Sequence, residues 1–179
     1  CLEGEALVYT LSSLTPALTL DTPRGGGGVP GLAALVACDE PCLLALPCGD
    51  GSTGTLRVYN LTAPSGDGSG GQGCVVCEIA AHKAPLACLA WSADGALLAS
   101  ASVHGTVVRV HRLPSATKAF TFRRGTLHAT IHSLSFSPLG MEPPLLAATS
   151  DHGTVHIFRV ASPSYDSPQG LAGGSRGLL

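Results

Sequence analysis

The sequence has little charge, few aromatic rings and no long apolar run. Only 12% of its 179 residues are charged and 4% are aromatic, whereas 45% are hydrophobic. This composition excludes a solvated disordered chain, because such chains combine low hydrophobicity with high charge. No apolar run reaches the roughly 18 residues that a membrane-spanning helix needs. The composition therefore indicates a folded domain without a transmembrane helix.

Methionine is also nearly absent. The chain begins at Cys1 and its only methionine is Met141, so we expect it to be part of a longer protein. It has seven cysteines, an odd number, which predicts reduced, mostly buried thiols in a cytosolic compartment. Cys74 and Cys77 form a Cys-x-x-Cys pair, but no second pair follows at zinc spacing. We therefore predict cysteines that pack in a core, no metal site and no cofactor.

Glycine and proline, in contrast, are abundant, with 23 and 13 residues, as is usual for short strands joined by turns. One β-branched strand motif returns about every 50 residues, and repeats of that length indicate a propeller or an array. A Leu-Leu-Ala segment precedes each of its last three copies. The copies begin at Gly4 (degenerate), Gly54, Gly105 and Gly153, and the Leu-Leu-Ala segments begin at Leu43, Leu97 and Leu145.

Each repeat reads as strand, turn, strand, glycine turn, strand, and then a looser connection to a fourth strand. Four-stranded units of this length predict an all-β fold, a partial WD-repeat-like β-propeller of roughly three to four blades. We predict consecutive blades over residues 1–160, with repeat boundaries near 30, 80 and 125. Residues 161–179 are predicted to start a flexible loop or a truncated tail. The glycine-rich stretches 25–28 and 65–71 are predicted to be loops that carry no chemistry.

Charge is distributed unevenly along the chain. Residues 95–141 contain five basic residues and no acid, although the whole chain has 12 acids and a formal charge of −2. A stretch of this kind predicts a surface that faces an anion. The alternative is a solvated rim whose composition fluctuates by chance.

The segment from Phe120 to Gly125 sharpens this prediction. Phe120 and Phe122 alternate as the buried face of a strand, so Arg123 and Arg124 start on opposite sides of the chain. Two diverging guanidiniums at a blade boundary can serve two separate anions, because each planar fork donates paired hydrogen bonds to phosphate. The alternative is that both arginines tie blades together through backbone carbonyls or carboxylates.

These residues resemble the PROPPIN proteins (the WIPI or autophagy-related protein 18 family), in particular the shorter WIPI subgroup. The Phe-Arg-Arg-Gly segment between two blades resembles the family's signature, and the likeness is dense over about residues 80–160. Ala81-His82 replaces the Gly-His of ordinary WD repeats, and the Trp-Asp dipeptide is absent. The resemblance implies a seven-bladed propeller that binds phosphoinositides.

The resemblance also implies two head-group sites, whose residues are arginines, histidines and hydroxyl side chains suited to phosphate and inositol hydroxyls. Histidines could strengthen such binding as the pH falls. The first site would use His82, Ser100, Ser102, Thr106, Arg109 and Arg123. The second site would use Arg124, Ser150, Thr154 and His156.

The function that the resemblance implies is a scaffold in autophagosome formation. It would bind phosphatidylinositol 3-phosphate and phosphatidylinositol 3,5-bisphosphate, and it would recruit other autophagy proteins. We expect a cytoplasmic protein, peripheral on preautophagosomal and endosomal membranes and monomeric at full length. In the family a long loop with apolar and aromatic residues would follow Val160 and enter the bilayer; here that place holds residues 161–168, of which Tyr165 is aromatic, and then Leu171, Leu178 and Leu179. The alternative is a WD-repeat interaction platform without lipid binding.

Catalysis and nucleic-acid binding are disfavoured. A nucleophile needs a nearby base that an acid orients, and residues 95–141 contain no Asp or Glu. We therefore predict that the protein is not an enzyme. The basic patch is small and the overall charge is negative, which argues against a nucleic-acid partner.

Overall fold

The computed structural model describes residues 4–25, 27–37, 41–62 and 74–161. Within these ranges the regular structure consists of thirteen β-strands in four antiparallel sheets. None of the described residues belongs to a helix long and apolar enough to cross a bilayer. The predicted all-β architecture is therefore what the chain adopts.

The first two sheets come from the amino-terminal part of the chain. The first sheet is a hairpin of β1 (Glu5–Thr10) and β2 (Thr15–Asp21). The second sheet has four strands in sequence order: β3 (Ala34–Ala37), β4 (Cys42–Pro47), β5 (Gly54–Asn60) and β6 (Cys74–His82).

The third and fourth sheets hold most of the residues of interest. The third sheet contains β7 (Leu86–Trp91), β8 (Leu97–Ser102), β9 (Val107–Arg112) and β10 (Thr117–Arg123). The fourth sheet has three strands among the described residues, namely β11 (Ile131–Phe136), β12 (Leu145–Ser150) and β13 (Val155–Arg159). Neighbours in sequence pair in both sheets.

The sequence repeat corresponds to a structural repeat. The Leu-Leu-Ala segments lie in β4, β8 and β12, the second strands of the second, third and fourth sheets, and the glycine motifs lead into the third strands. The two strands pair in a related register, with Ala99 opposite Val110 and Ala147 opposite Ile157. The second, third and fourth sheets are therefore built on a similar hairpin of Leu-Leu-Ala strand and glycine-motif strand.

The turns before two of the Leu-Leu-Ala strands, β8 and β12, are each fixed by a serine. The Ser92 hydroxyl accepts the Leu97 N–H at 2.9 Å, and the Ser137 hydroxyl accepts the Leu145 N–H at 3.0 Å. Gly95 and Gly140 follow with φ of +69° and +87°, a conformation that glycine adopts without steric cost. The same local chemistry thus starts the central hairpin twice.

Successive sheets pack face to face through apolar side chains. Leu56 and Val58 of the second sheet share one core with Leu98 of the third. Val108 and Val110 share the next core with Leu146 of the fourth. All six side chains are fully buried. Burial of this area holds the sheets together, since each buried aliphatic side chain contributes about 1.5–3 kcal/mol.

The prediction of mostly buried thiols is wrong. The described part of the chain has five free cysteines, of which only Cys48 is buried, and Cys74 is exposed on β6. Cys74 and Cys77 do lie on a strand, as predicted. Burial raises the pKa of Cys77 and of Cys88, so both are held as thiols. The predicted connection at 65–71 and the loop beyond residue 161 lie outside the described residues.

Candidate functional site

A basic cavity lies between the second and third sheets, where the end of β6 meets the β8–β9 hairpin. Its volume is about 350 Å³, within the range of small-ligand sites. The described side chains that line it include cations and hydroxyls but no acid. The lining residues are His82, Lys83, Ala84, Ser102, His104, Thr106, Val107 and Arg109.

Glycine makes the approach of these segments possible. Gly54 pairs with His82 across β5 and β6. A Cβ at Gly54 would lie 2.5 Å from the His82 Cβ and 2.6 Å from the Ala84 carbonyl oxygen. Both distances are below the closest normal contact, so a side chain here would push the cavity wall away. Gly54 therefore positions His82 as well as starting a strand.

Arg109 projects from β9 towards the end of β6. One terminal N–H of its guanidinium donates to the Ala81 carbonyl oxygen. Its Nε is buried and has no hydrogen-bond partner within the described ranges. An unpartnered buried donor is costly. Arg109 also lines the cavity, and its positive charge there suits an anionic ligand.

His82 is buried and electrically neutral. Its Nε2 lies 3.1 Å from the Ser100 hydroxyl and 3.2 Å from the Ser100 carbonyl oxygen. Burial, and then the positive charge of Arg109, lower the pKa of His82 to about 4. His82 therefore lines the cavity as an uncharged group. Ser100 is fully buried and is not among the lining residues, so it supports His82 instead of contacting the cavity.

Arg123 is the exposed member of the arginine pair. It lies opposite Val107 in the β9–β10 register, and directly opposed residues of an antiparallel pair share a face. It is therefore on the same face as Arg109 and opposite Val107, which lines the cavity. No hydrogen bond or ion pair engages its side chain within the described chain. Its guanidinium is free to bind a group that enters the cavity.

Arg124 is buried and points the other way. Its Nε donates to the Gly105 carbonyl oxygen at 2.8 Å, and another guanidinium N–H donates to the Leu127 carbonyl oxygen. A third nitrogen lies 3.3 Å from Nδ1 of His152. The predicted divergence of the two arginines is thus present. The contacts of Arg124 match the alternative prediction, in which an arginine links segments of the chain through backbone carbonyls.

The other members of the second predicted group lie on the β12–β13 hairpin. Thr154 and His156 are neighbours on one face, with the threonine hydroxyl 3.2 Å from the His156 Nε2. Ser150 is buried, and its hydroxyl has no partner in the described part of the structure. His156 shares its face with Ala148, its opposite residue in the register. This group faces the third sheet, from which Arg124 reaches His152.

The structure thus brings together most of the first predicted site. His82, Ser102, Thr106 and Arg109 line one cavity, Arg123 lies opposite the lining residue Val107, and Ser100 supports His82 from outside the lining. The sequence interpretation missed three residues. They are Lys83 and His104, which line the cavity, and His152, which contacts Arg124. Lys83 follows His82, and His104 and His152 each precede a repeat glycine. These positions in the repeat were the sequence signal that could have identified the three residues.

A second cavity occupies the related position one sheet earlier, between the first and second sheets. Its volume is about 510 Å³. Glycines and prolines of the β2–β3 connection line it together with Pro47 and Thr53, and no charged side chain is among its described lining residues. Arg57, on β5, donates to Glu78 at 2.8 Å instead. Only the later cavity therefore has the cations that an anion requires.

Stacked four-stranded sheets with a basic cavity between two of them define the class of the protein: a partial β-propeller with a candidate anion site between blades. A sequence model of the family described as PROPPIN matches residues 12–174. The chain belongs to the PROPPIN family.

Individual relatives agree with this assignment. The chain is 38% identical over 157 residues to autophagy-related protein 18b of Arabidopsis thaliana, covering 88% of this chain and 39% of that protein. It is 37% identical over 164 residues to WD repeat domain phosphoinositide-interacting protein 1 of Xenopus laevis, covering 89% of this chain and 34% of the relative. The chain thus spans well under half the length of these relatives.

A solved structure supports the fold. A complex of KlAtg21 with the coiled coil of AgAtg16 is similar at a TM-score of 0.68 and 22% identity, covering 88% of this chain and 47% of that one. At this identity the likeness concerns the fold alone. Because less than half of that chain is covered, the prediction of a partial propeller is confirmed.

Proposed function

We propose that the protein is a phosphoinositide-binding scaffold that acts in autophagosome formation. Its ligands would be phosphatidylinositol 3-phosphate and phosphatidylinositol 3,5-bisphosphate on autophagic or endosomal membranes. The single observation that carries the proposal is the acid-free basic cavity between the second and third sheets, with the exposed Arg123 opposite its lining residue Val107. The name of the Xenopus relative, a phosphoinositide-interacting protein, supports the same ligand class.

Each side chain of the cavity has a distinct role in this proposal. The guanidinium of Arg109 and the ammonium of Lys83 would donate to phosphate oxygens, since charge-assisted hydrogen bonds are about twice as strong as neutral ones. Ser102 and Thr106 would bind inositol hydroxyls, because a hydroxyl both donates and accepts. Neutral His82 would contribute a hydrogen bond without charge. Arg123 would close the mouth over the phosphate.

The second head-group site would lie on the β12–β13 hairpin. Thr154, His156 and the unpartnered hydroxyl of Ser150 would contact the ligand there. Arg124 already donates to two carbonyls. It would bind the ligand through its remaining guanidinium nitrogen, which lies beside His152 in this structure. Two sites on one protein would strengthen membrane attachment, because stable peripheral binding takes more than one signal.

The cellular role follows from these ligands. The protein would be cytoplasmic, peripheral on preautophagosomal and endosomal membranes, and monomeric at full length. It would recruit other autophagy proteins through surfaces away from the lipid. The solved complex of a structural relative with a coiled coil supports partners of that kind.

The direct test is liposome flotation of the full-length protein. A Lys83→Ala/Arg123→Ala variant removes two exposed cations at the cavity and leaves buried contacts intact. Arg112→Ala is the matched control, because it removes an exposed charge at the opposite end of β9. We expect the double variant to lose at least about tenfold in affinity for vesicles with phosphatidylinositol 3-phosphate, since each lost charged hydrogen bond costs about 1.5 kcal/mol or more.

The same assay separates the ligands. Vesicles containing phosphatidylinositol 3-phosphate, phosphatidylinositol 3,5-bisphosphate or neither lipid are compared at fixed salt, because surface charge effects depend on ionic strength. Equal flotation of the wild type on all three would contradict recognition of the head group. Equal loss in the Arg112→Ala control would mean that general charge, not the cavity, drives binding.

A WD-repeat interaction platform without lipid binding is the second candidate. One observation favours it: the guanidinium of Arg124 donates to the carbonyls of Gly105 and Leu127, as a structural arginine does. If flotation of the full-length protein never depends on phosphoinositide while protein partners still bind, this candidate is the correct one.

A further inference from the structure

Four aromatic rings form a row along the interface between the third and fourth sheets. Phe120 and Phe122 lie on β10, with ring centroids 5.7 Å apart, and His156 and Phe158 lie on β13, with ring centroids 6.2 Å apart. Phe122 and Phe158 meet across the interface at 4.8 Å. Neighbouring rings are nearly parallel, with interplanar angles of 6°, 11° and 10° along the row. The row therefore joins β10 directly to β13.

All four rings face the core between the two sheets. Each ring lies opposite a buried aliphatic residue in the strand register, and directly opposed residues share a face. Those opposing residues belong to one core cluster and are Val108, Val110, Leu146 and Ala148. The rings themselves are half-buried. Because β10 and β13 are the outermost described strands of their sheets on this side, the row forms the outer margin of that core.

Polar residues of the second predicted group continue the same two columns of side chains. Residues two positions apart on a strand point to the same face, so Arg124 follows Phe122 on the side that faces the fourth sheet. For the same reason Thr154 lies on the face of His156. Both columns run towards the end of the sheets where a guanidinium nitrogen of Arg124 lies 3.3 Å from Nδ1 of His152. The ring contact thus lies directly beneath the polar residues of the second site.

A ring contact of this kind is directional. Offset-stacked rings with centroids about 4.5–7 Å apart attract each other beyond the effect of the area that they bury. Parallel rings therefore restrict the rotation of both side chains as well as the separation of the two strands. Two neighbours set the orientation of the His156 imidazole. They are the ring of Phe158, parallel to it within 10°, and the Thr154 hydroxyl, 3.2 Å from Nε2.

We propose that Phe122 and Phe158 are positioning residues of the second head-group site. Their contact fixes the separation of Arg124 from His156, and Phe158 holds the imidazole in the plane from which it reaches the ligand. Neither phenylalanine contacts the head group itself. This inference rests on the proposed second site, and it adds the apolar contact that gives this site its shape.

A purely structural role of the rings makes a different prediction. Phe120, Phe122 and Phe158 all pack against the same core. If they served packing alone, loss of any one ring would lower stability and leave the affinity of the folded protein unchanged. A positioning role makes affinity depend on Phe122 and Phe158 but not on Phe120, which is at the far end of the row.

The test uses the full-length protein with the first site disabled by Lys83→Ala/Arg123→Ala. In this background, Phe122→Leu and Phe158→Leu each remove one ring of the contact between sheets and keep an apolar side chain. Phe120→Leu is the matched control, because it removes a ring from the same strand and the same core. Phe158→Tyr keeps the ring. Flotation with vesicles containing phosphatidylinositol 3-phosphate gives the affinity, and urea unfolding shows that each variant is folded.

We expect Phe122→Leu and Phe158→Leu each to bind about fivefold more weakly, the size of one aromatic contact. Phe120→Leu and Phe158→Tyr should bind as the background protein does. An equal loss in Phe120→Leu, or no loss in the other two leucine variants, would overturn the inference while leaving head-group binding in place. Absence of phosphoinositide-dependent binding in the background protein would overturn the second site, and its absence in the wild type would overturn the proposed function.

Discussion

Two adjacent arginines, Arg123 and Arg124, differ in burial and therefore in the partners they can bind. The strand period places Arg123 and Arg124 on opposite sides, and the sequence was sufficient to predict that. Only the packed structure leaves Arg123 exposed and surrounds Arg124 with the carbonyls of Gly105 and Leu127. Contacts of this kind join residues that are distant along the chain, so no local pattern contains them.

The pKa of His82 predicts how the stability of the protein depends on pH. Its pKa is lowered from 6.5 to about 4, mainly by burial. Below about pH 6.5 the unfolded chain takes up a proton at this residue and the folded chain does not. The stability that neutral His82 contributes is therefore fully present above about pH 6.5, and it is lost as the pH falls from there towards 4.

The expected loss is about 3 kcal/mol over that window, at about 1.4 kcal/mol for each pH unit. It is measured as the free energy of unfolding in urea at pH 7, 6, 5 and 4. The slope should be smaller in His82→Gln. An exposed-histidine variant, His132→Gln, should keep the wild-type slope. If His82→Gln also keeps it, another group is responsible for the acid sensitivity.

At the scale of elements, the β8–β9 hairpin of the third sheet contributes the most residues to the basic cavity. Gly105 starts the third-sheet copy of the glycine motif with φ of +61°, and a Cβ there would lie 1.8 Å from the Ala129 carbonyl oxygen. That distance is far below van der Waals contact. The glycine is needed for two reasons, a left-handed backbone and the close approach of the β10–β11 connection.

Two glycine-to-alanine variants separate the cost of the left-handed backbone from the cost of the close contact. Gly105→Ala should destabilise the protein by about 3 kcal/mol or more, because the strain of a left-handed alanine, about 1–2 kcal/mol, adds to the clash. Gly140→Ala is the matched control, since Gly140 has φ of +87° and nothing within 4 Å of the added Cβ. It should cost only the backbone strain. Equal unfolding free energies for the two variants would show that the Ala129 contact carries no penalty.

The whole molecule is a stack of sheets whose last outer face is uncovered among the described residues. On β13, Val155 and Ile157 are 62% and 66% exposed, and both face away from the third sheet. Exposed adjacent β-branched residues favour association between chains. In a propeller, the next blade would cover this face.

We expect the 179-residue chain, expressed by itself, to self-associate. The variant Val155→Thr/Ile157→Thr should shift it towards the monomer in light scattering, because threonine keeps the strand preference and lowers the apolar area. Val75→Thr is the control, since Val75 is 51% exposed on β6 in another sheet. Equal shifts in both variants would show that no particular face drives association.

At the scale of the fold, the sequence was informative because its signals are local and repeated. Gly54, Gly105 and Gly153 mark the third strands, and Ser92 and Ser137 mark equivalent turns that the structure contains. The prediction that the thiols are mostly buried failed, because strand alternation does not say which edge of a sheet is covered. The boundaries near residues 30, 80 and 125 remain a prediction.

The sequence by itself determined the repeat, the strand content and the acid-free stretch, because turn chemistry, alternation and charge depend on near neighbours. Tertiary structure decided which of these residues share a site. Lys83, His104 and Arg109 come from the β6–β7 connection, the β8–β9 turn and β9, and they line one cavity whose wall Gly54 positions by letting β5 approach His82 and Ala84 closely. It also decided the protonation state of His82, which burial keeps neutral.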